Sequence, residues 1–389
     1  MEVHTLRQIW IDLLRAELNG AEPDVYPGEA FTPEVIEGLF TLSKKHDLTH
    51  IVAASLRRGG VSIAEIAGDE LAARYSKEEM LSLYRHERLR YAYGQICATL
   101  ATEGIDHIPL KGSVIRAFYP DERMRTSCDI DILVRPDDLE AATTALVTAG
   151  YTRSEEPNYH DISFYSPAGV HLELHFNILE NVPAMDVVLS DVWQYVTPGA
   201  DHTCFLTDAF FLFHLFAHMS YHFLEGGCGL RPLMDIWVME HRRGVTYTAA
   251  EDLLRRAGLY EFAAEITRLA NICFSGRTGD EFSEILLSYI LDGGVYGTAQ
   301  NRVAVTRATS NSTAGYAVRR LFLPLHSMKI LYPVLHKCPL LLPFCWVARL
   351  FKKLFTGKAG RALSELQAAE GQTADERETL LAMRERLGL

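Results

Sequence analysis

Residues 108–134 read IPLKGSVIRAFYPDERMRTSCDIDILV, and residues 170–176 answer them with VHLELHF. The first stretch predicts a strand ending at a Lys-Gly-Ser turn, a short helix, a loop, and a strand carrying Asp129 and Asp131 one residue apart. Side chains alternate across a strand, so the two aspartates share one face while Ile130, Ile132 and Val134 point into a core. Carboxylates held side by side repel unless a cation lies between them, and an oxygen-rich site suits Mg²⁺. A metal site is therefore the first expectation. Gly112-Ser113 supplies the second. A glycine where strand meets helix lets a phosphate approach the backbone, the helix start offers unpaired N–H groups and a positive dipole end, and Lys111 adds a point charge. In the later stretch His171, Glu173 and His175 alternate with Leu172 and Leu174, which makes Glu173 a third carboxylate beside the pair. A phosphate cradle next to a metal-binding acid set has the parts needed to transfer a nucleotidyl group.

Each piece taken singly has an ordinary explanation. Asp-Ile-Asp is usually a strand end or turn, Lys-Gly-Ser a helix-start turn, and Leu-Glu-Leu-His an edge strand with one wet face. Order and connectivity carry the argument. Taken in order, LKGSVIRAFYP, RTSCDIDILVRPDDLEAATTALVTAGY and LELHF resemble the bacterial uncharacterised nucleotidyltransferase family of the DNA polymerase beta-type nucleotidyltransferase superfamily, most densely over residues 80–240. Fifteen residues separate Ser113 from Asp129, more than the superfamily's commonest spacing. The resemblance implies a transferase with Mg²⁺, or Mn²⁺ in its place, held by Asp129, Asp131 and Glu173. It also implies a nucleoside triphosphate whose phosphates meet Lys111, Gly112 and Ser113. Arg125 is a candidate for the leaving phosphates, and an ion pair orienting Asp129 or Asp131 explains it as well.

A histidine-bearing helix followed by an Arg-x-x-x-Asp helix recurs at this place in the resembling family and implies closure over the nucleotide. That nominates His218, His222, Arg231 and Asp235; a buried hydrogen-bonded cluster accounts for the same four equally well. His214, His218 and His222 stand four apart and suggest zinc, but that spacing drifts around a helix and no cysteine or acid accompanies them in sequence.

The chain has 389 residues, 48% hydrophobic and 23% charged, enough for a large core and two or three packed units. Its net charge of −12 argues against nucleic-acid binding by the whole surface. The seven cysteines show no CxxC spacing and are odd in number, which predicts reduced, mostly buried thiols in a cytoplasmic protein, Cys128 among them as a small packing residue. The first twenty residues lack an apolar block, and no stretch reaches the length of a membrane-spanning helix.

In chain order, residues 1–104 predict a helical region, with Thr32-Pro33-Glu34 as a helix start and a long helix from Leu81 to Glu103. Residues 105–200 predict a nucleotidyltransferase core of the α/β (α+β) class, a small mixed sheet with helices packed on it. Pro167-Ala168-Gly169 is its hairpin turn. Residues 201–292 predict helices that complete the site, with Tyr247 to Ile290 an ordinary helical segment capped within Thr246 to Glu251. Residues 293–389 predict a basic, apolar helical region, with 365–389 a charged terminal helix or a loosely held tail. From Gly293 to Ser364 there is no acidic residue against eleven Lys plus Arg, a composition suited to peripheral contact with an anionic membrane face. An internal helical pair neutralising the acidic remainder is the alternative.

The reading is thus a Mg²⁺-dependent nucleotidyltransferase acting on an acceptor hydroxyl. The chain carries no recognisable module for a sugar, protein or RNA acceptor and no signal for an oligomeric state. Three rivals follow from the same features. One is a catalytically inactive nucleotide-binding or scaffold protein. Another is a membrane-peripheral partner of an envelope-polysaccharide or peptide-modification system, and the third a growth-inhibiting toxin.

Overall fold

Threonine hydroxyls set the first two helices. Thr5 accepts from the Gln8 N–H and starts α1 (Leu6–Asn19); Thr32 accepts from the Val35 N–H and starts α2 (Pro33–Lys45), with Pro33 in the first turn. Helices α3 (Thr49–Arg58), α4 (Ile63–Ala67) and α5 (Asp69–Thr102) follow. The computed structural model describes residues 5–21, 30–154, 160–294, 334–355 and 374–389, together with residues 322, 325, 328 and 332. Helix α5 begins at Asp69, well ahead of the Leu81 start that sequence periodicity predicts. Its buried face runs Leu71, Tyr75, Ser82, His86, Leu89, and the part ahead of Leu81 buries only Leu71 and Tyr75, too few to mark an apolar period.

The central segment supplies β1 (His107–Pro109), the single-turn helix α6 (Gly112–Ile115), β2 (Asp129–Val134), α7 (Leu139–Thr148), β3 (Thr152–Arg153), β4 (Asp161–Tyr165) and β5 (His171–His175). They build a five-stranded sheet in the order β1-β2-β5-β4-β3. The sheet is mixed: β2 and β5 are parallel, and the other three pairings are antiparallel. The predicted hairpin turn is present between β4 and β5, where Gly169 adopts φ +74°. Alternation along the strands divides the two faces. Ile130, Ile132, Val134, Phe164, Leu172 and Leu174 pack against Leu89, Ile96 and Leu100 of α5 and Ala142 and Leu146 of α7. Asp129, Asp131, Glu173 and His175 are thereby turned to the other face.

The chain continues through α8 (Pro183–Leu189), a short hairpin of β6 (Val196–Pro198) and β7 (Cys204–Leu206), then α9 (Asp208–Leu224) and α10 (Arg231–His241). The predicted helical segment 247–290 is broken. After a 3₁₀ turn come α11 (Glu251–Ala257), α12 (Tyr260–Ser275) and α13 (Glu281–Gly293), the first two ended by glycines in the left-handed conformation, Gly258 and Gly276. Thr246 makes no helix cap; its hydroxyl pairs with that of Thr248.

One hydrophobic core joins helices from the N-terminal region and from residues 201–292, uniting Trp10, Leu14 and Ile51 with Phe213, Trp237, Phe262 and Ile290. Beyond residue 333 the described helices are α14 (Val334–Lys337), α15 (Leu342–Phe355) and α16 (Ala374–Leu387). Helix α16 is no loose tail: Met383 and Leu387 are buried in the main core, and Arg386 pairs with Glu265 at 3.2 Å and Asp280 at 3.5 Å. Much of the basic segment 293–364, including residues 295–321 and 356–364, lies outside the described residues.

Candidate active site

Parallel pairing of β2 with β5 places Asp129 opposite His171, Asp131 opposite Glu173 and Leu133 opposite His175. The three acids singled out by sequence therefore meet on one face. Ligand atoms of Asp129, His171 and Glu173 lie within 4.8 Å of one another, as do those of Asp131, Glu173 and His175. Lys111 reaches the pair across the end of β1: its Nζ lies 3.0 Å from Asp131 Oδ1. The His175 Nε2 lies 3.0 Å from the same oxygen and 3.4 Å from Glu173 Oε2.

The turn that delivers Lys111 is strained at Lys111. Gly112 is helical, whereas Lys111 takes φ 43°, ψ −118°, a conformation lysine rarely adopts. The Leu110 N–H donates to the Asp131 carbonyl, so the strand bearing the acids holds the backbone just ahead of the strained residue as well as its side chain. A Cβ at Gly112 would come 3.4 Å from Ser127 Cβ and Oγ, an ordinary contact, so space alone does not demand glycine there. The N–H groups expected to stand open at the helix start are partly spent within the turn: Ser113 donates to Leu110 O and Val114 to Lys111 O.

Neighbouring carboxylates are pushed in opposite directions. Burial, together with the charges of Asp131 and Glu173, raises the Asp129 pKa. Burial also works against ionising Asp131, but Lys111 and His175 outweigh it and hold that carboxyl well below the usual range. Burial would lower His175, yet its hydrogen bonds to Asp131 and Glu173 lift it to about 9. Lys111 is raised for the same reason, burial being overcome by Asp131 and Glu173. Asp131 is thus neutralised by the protein's own cations, and Asp129 sits in an uncompensated anionic field.

Arg125 turns away from the acid pair. Its guanidinium grips both oxygens of Asp235, with Nε 2.7 Å from Oδ1 and Nη2 2.9 Å from Oδ2, and the Tyr119 hydroxyl donates to Asp235 at 2.6 Å. Arg231 donates to the Thr126 carbonyl at 2.9 Å and lies 3.8 Å from Asp47. These residues tie the loop between α6 and β2 to α10 and to the N-terminal helices. Their reach to Asp129 is indirect: they fix Thr126, and the next residue, Ser127, donates to the Asp129 carbonyl at 2.7 Å and approaches Asp129 Oδ1 at 3.1 Å.

His218 and His222 belong to a separate string. His218 Nδ1 meets Glu180 Oε1 at 2.9 Å, and its Nε2 lies 3.1 Å from His222 Nε2. Burial, reinforced by the Lys111 charge, drives His218 well below its usual pKa and His214 to about 3. Glu180, the acid that accompanies these histidines in space, lies 38 residues from His218 in sequence.

Sequence reading left His171, His175, Glu180, Tyr119 and Ser127 without roles. The alternation in VHLELHF was the available signal for the two strand histidines; the other three are placed by tertiary contacts alone. Cys128, expected to pack, is exposed, while Cys204, Cys228, Cys273 and Cys345 are buried and none of the seven cysteines is in a disulfide.

The model of the uncharacterised nucleotidyltransferase family matches residues 33–275, from α2 to the end of α12. The chain belongs to that family. The match spans the polar sheet face, Lys111 and the α9–α10 pair, so every candidate site residue lies inside the family domain. No curated protein and no solved structure matches the chain.

Proposed function

We propose that this nucleotidyltransferase moves a nucleoside monophosphate group from a nucleoside triphosphate to an acceptor hydroxyl, with a divalent cation held by Asp129, Asp131 and Glu173. The observation carrying this reading is the parallel register that sets Asp131 opposite Glu173 with Asp129 one pleat away and Lys111 on the shared oxygen. The donor set fits a hard cation. Glu173 lies within reach of both aspartates, grouped with Asp129 and His171 on one side and with Asp131 and His175 on the other, and the raised pKa of Asp129 marks a place where added positive charge is favourable. Oxygen donors suit Mg²⁺, and His171 beside them accommodates Mn²⁺. Bound there, such a cation supplies charge neutralisation to the triphosphate.

The chain's own groups do the rest. Lys111 fixes Asp131 and offers positive charge to the phosphates, while Gly112 and Ser113 shape the backbone beneath them. Glu173 takes the proton of the acceptor hydroxyl. The hydroxyl oxygen forms a bond to the α-phosphorus, and the bond from that phosphorus to the bridging oxygen breaks, releasing pyrophosphate. Acceleration comes from positioning and charge stabilisation. Arg125, Asp235 and Arg231 are positioning residues for the loop ahead of Asp129, and His218 and His222 flank the Lys111 side. Dependence on nucleoside triphosphates places the reaction in the cytoplasm.

The test is label transfer. Incubated with each α-phosphate-labelled nucleoside triphosphate, Mg²⁺ or Mn²⁺ and a cell extract, the protein labels an acceptor, and Asp129→Asn lowers the rate about a hundredfold or more. Equal labelling by wild type and variant contradicts the reading.

A further inference from the structure

Helix α15 carries its apolar residues on the wrong side for a helix of a water-soluble unit. Phe344 and Val347, three apart on α15, are 73% and 51% exposed, and Leu340, in the 3₁₀ turn Pro339–Leu341 just before it, is 86% exposed. Another side of the same helix is already occupied: Cys345 and Arg349 are buried, and Trp346 packs on the small core of Met328, Leu335 and Cys345. The exposed stripe is therefore not an unformed core. Pro343 and Ala348 are also exposed, and no charged side chain interrupts the stripe from Leu340 to Ala348.

Charge decides what covers it. The segment 293–364 contains eleven Lys and Arg and no acidic residue, while the remainder of the chain is strongly acidic. A second copy seated on this stripe brings two cationic segments together, which is unfavourable. An anionic lipid surface has the complementary charge and accepts apolar side chains between its headgroups. Among the described residues no helix is long and apolar enough to cross a membrane, so the contact is one of lying on the surface. We infer that α15 and the turn before it dock this protein on an anionic membrane face, with Leu340, Phe344 and Val347 entering the headgroup region. This inference stands independently of the transfer reaction, since none of these residues belongs to the acid site.

The test is co-sedimentation of the full chain with vesicles of phosphatidylcholine alone or of phosphatidylcholine with phosphatidylglycerol, at low and high salt. The wild type partitions onto the anionic vesicles at least about tenfold more strongly than onto neutral ones, and high salt removes most of that difference. The triple variant Leu340→Gln, Phe344→Gln, Val347→Gln changes only exposed side chains and weakens anionic-vesicle partitioning about tenfold or more. Failure of the wild type to bind, equal binding to both vesicle types, or undiminished binding by the triple variant overturns the inference. So does a concentration-dependent dimer, seen by sedimentation velocity, that the triple variant abolishes while vesicles bind neither protein.

Discussion

Asp129 and Asp131 differ by one residue in sequence and by sign in electrostatics. Asp131 is the shared acceptor for Lys111 and His175, so Asp131→Asn leaves two buried cationic groups without their partner. It is expected to cost about 3–5 kcal/mol in metal-free protein. Asp129→Asn removes a charge that burial and its acidic neighbours already disfavour, and is expected to cost less than about 1 kcal/mol or to stabilise. Urea unfolding in the presence of a chelator separates the two; equal losses contradict the asymmetry. The strained turn gives a second contrast. Both Lys111→Ala and Lys111→Gly lose the ion pair, but only glycine suits φ 43°. Lys111→Gly should be the more stable of the two by about 1 kcal/mol, and the reverse order by thermal unfolding removes the claim of strain. At this scale the acids and Lys111 were legible from spacing, because strand alternation turns sequence distance directly into a shared face.

The loop from Tyr119 to Ser127 shows what sequence does not display. Arg125 reads in sequence as a phosphate ligand or a partner of the Asp-x-Asp pair, and Asp235 as part of a closing helix or of a buried hydrogen-bonded cluster; they are partners of each other, 110 residues apart. Neither residue has a periodicity that betrays the other. Asp235→Ala leaves Arg125 buried and uncompensated and is expected to cost about 3 kcal/mol or more. Tyr119→Phe, which loses one hydrogen bond to a carboxylate, should cost about 1–2 kcal/mol. The double replacement Arg125→Met, Asp235→Leu separates positioning from binding. If Arg125 only positions the loop, the pair recovers most of the lost stability and retains nucleotide affinity in calorimetry; abolished nucleotide binding in a stable double variant makes Arg125 a ligand instead. The elements themselves were read well where a cap or alternation marked them, as at Thr32, Asp129–Val134 and His171–His175. They were read poorly where buried apolar residues are sparse, as in α5 ahead of Leu81, or where a glycine broke a continuous helical pattern, as at Gly258 and Gly276.

Across the whole molecule, helices at both ends of the family domain share a core, and His46 lies in it. Its ring is fully buried, rests 5.1 Å from Trp10, and has Nε2 3.1 Å from the Leu291 carbonyl, to which Nε2–H donates. Burial lowers its pKa from 6.5 to about 4, so the unfolded chain takes up the proton first. Stability is unaffected by this group above about pH 6.5 and falls as the pH drops from there toward 4, by a total on the order of 3 kcal/mol. His46→Gln should flatten that part of the stability profile in urea titrations, and an unchanged slope contradicts the assignment. The central claim concerns the polar face of the sheet, and isothermal titration of each nucleoside triphosphate with Mg²⁺ tests it most directly, using wild type and the Asp129→Ala, Asp131→Ala variant. The account predicts metal-dependent binding of at least one nucleotide by the wild type and none by the variant. Absence of binding by folded wild type, or equal binding by a folded variant, contradicts it.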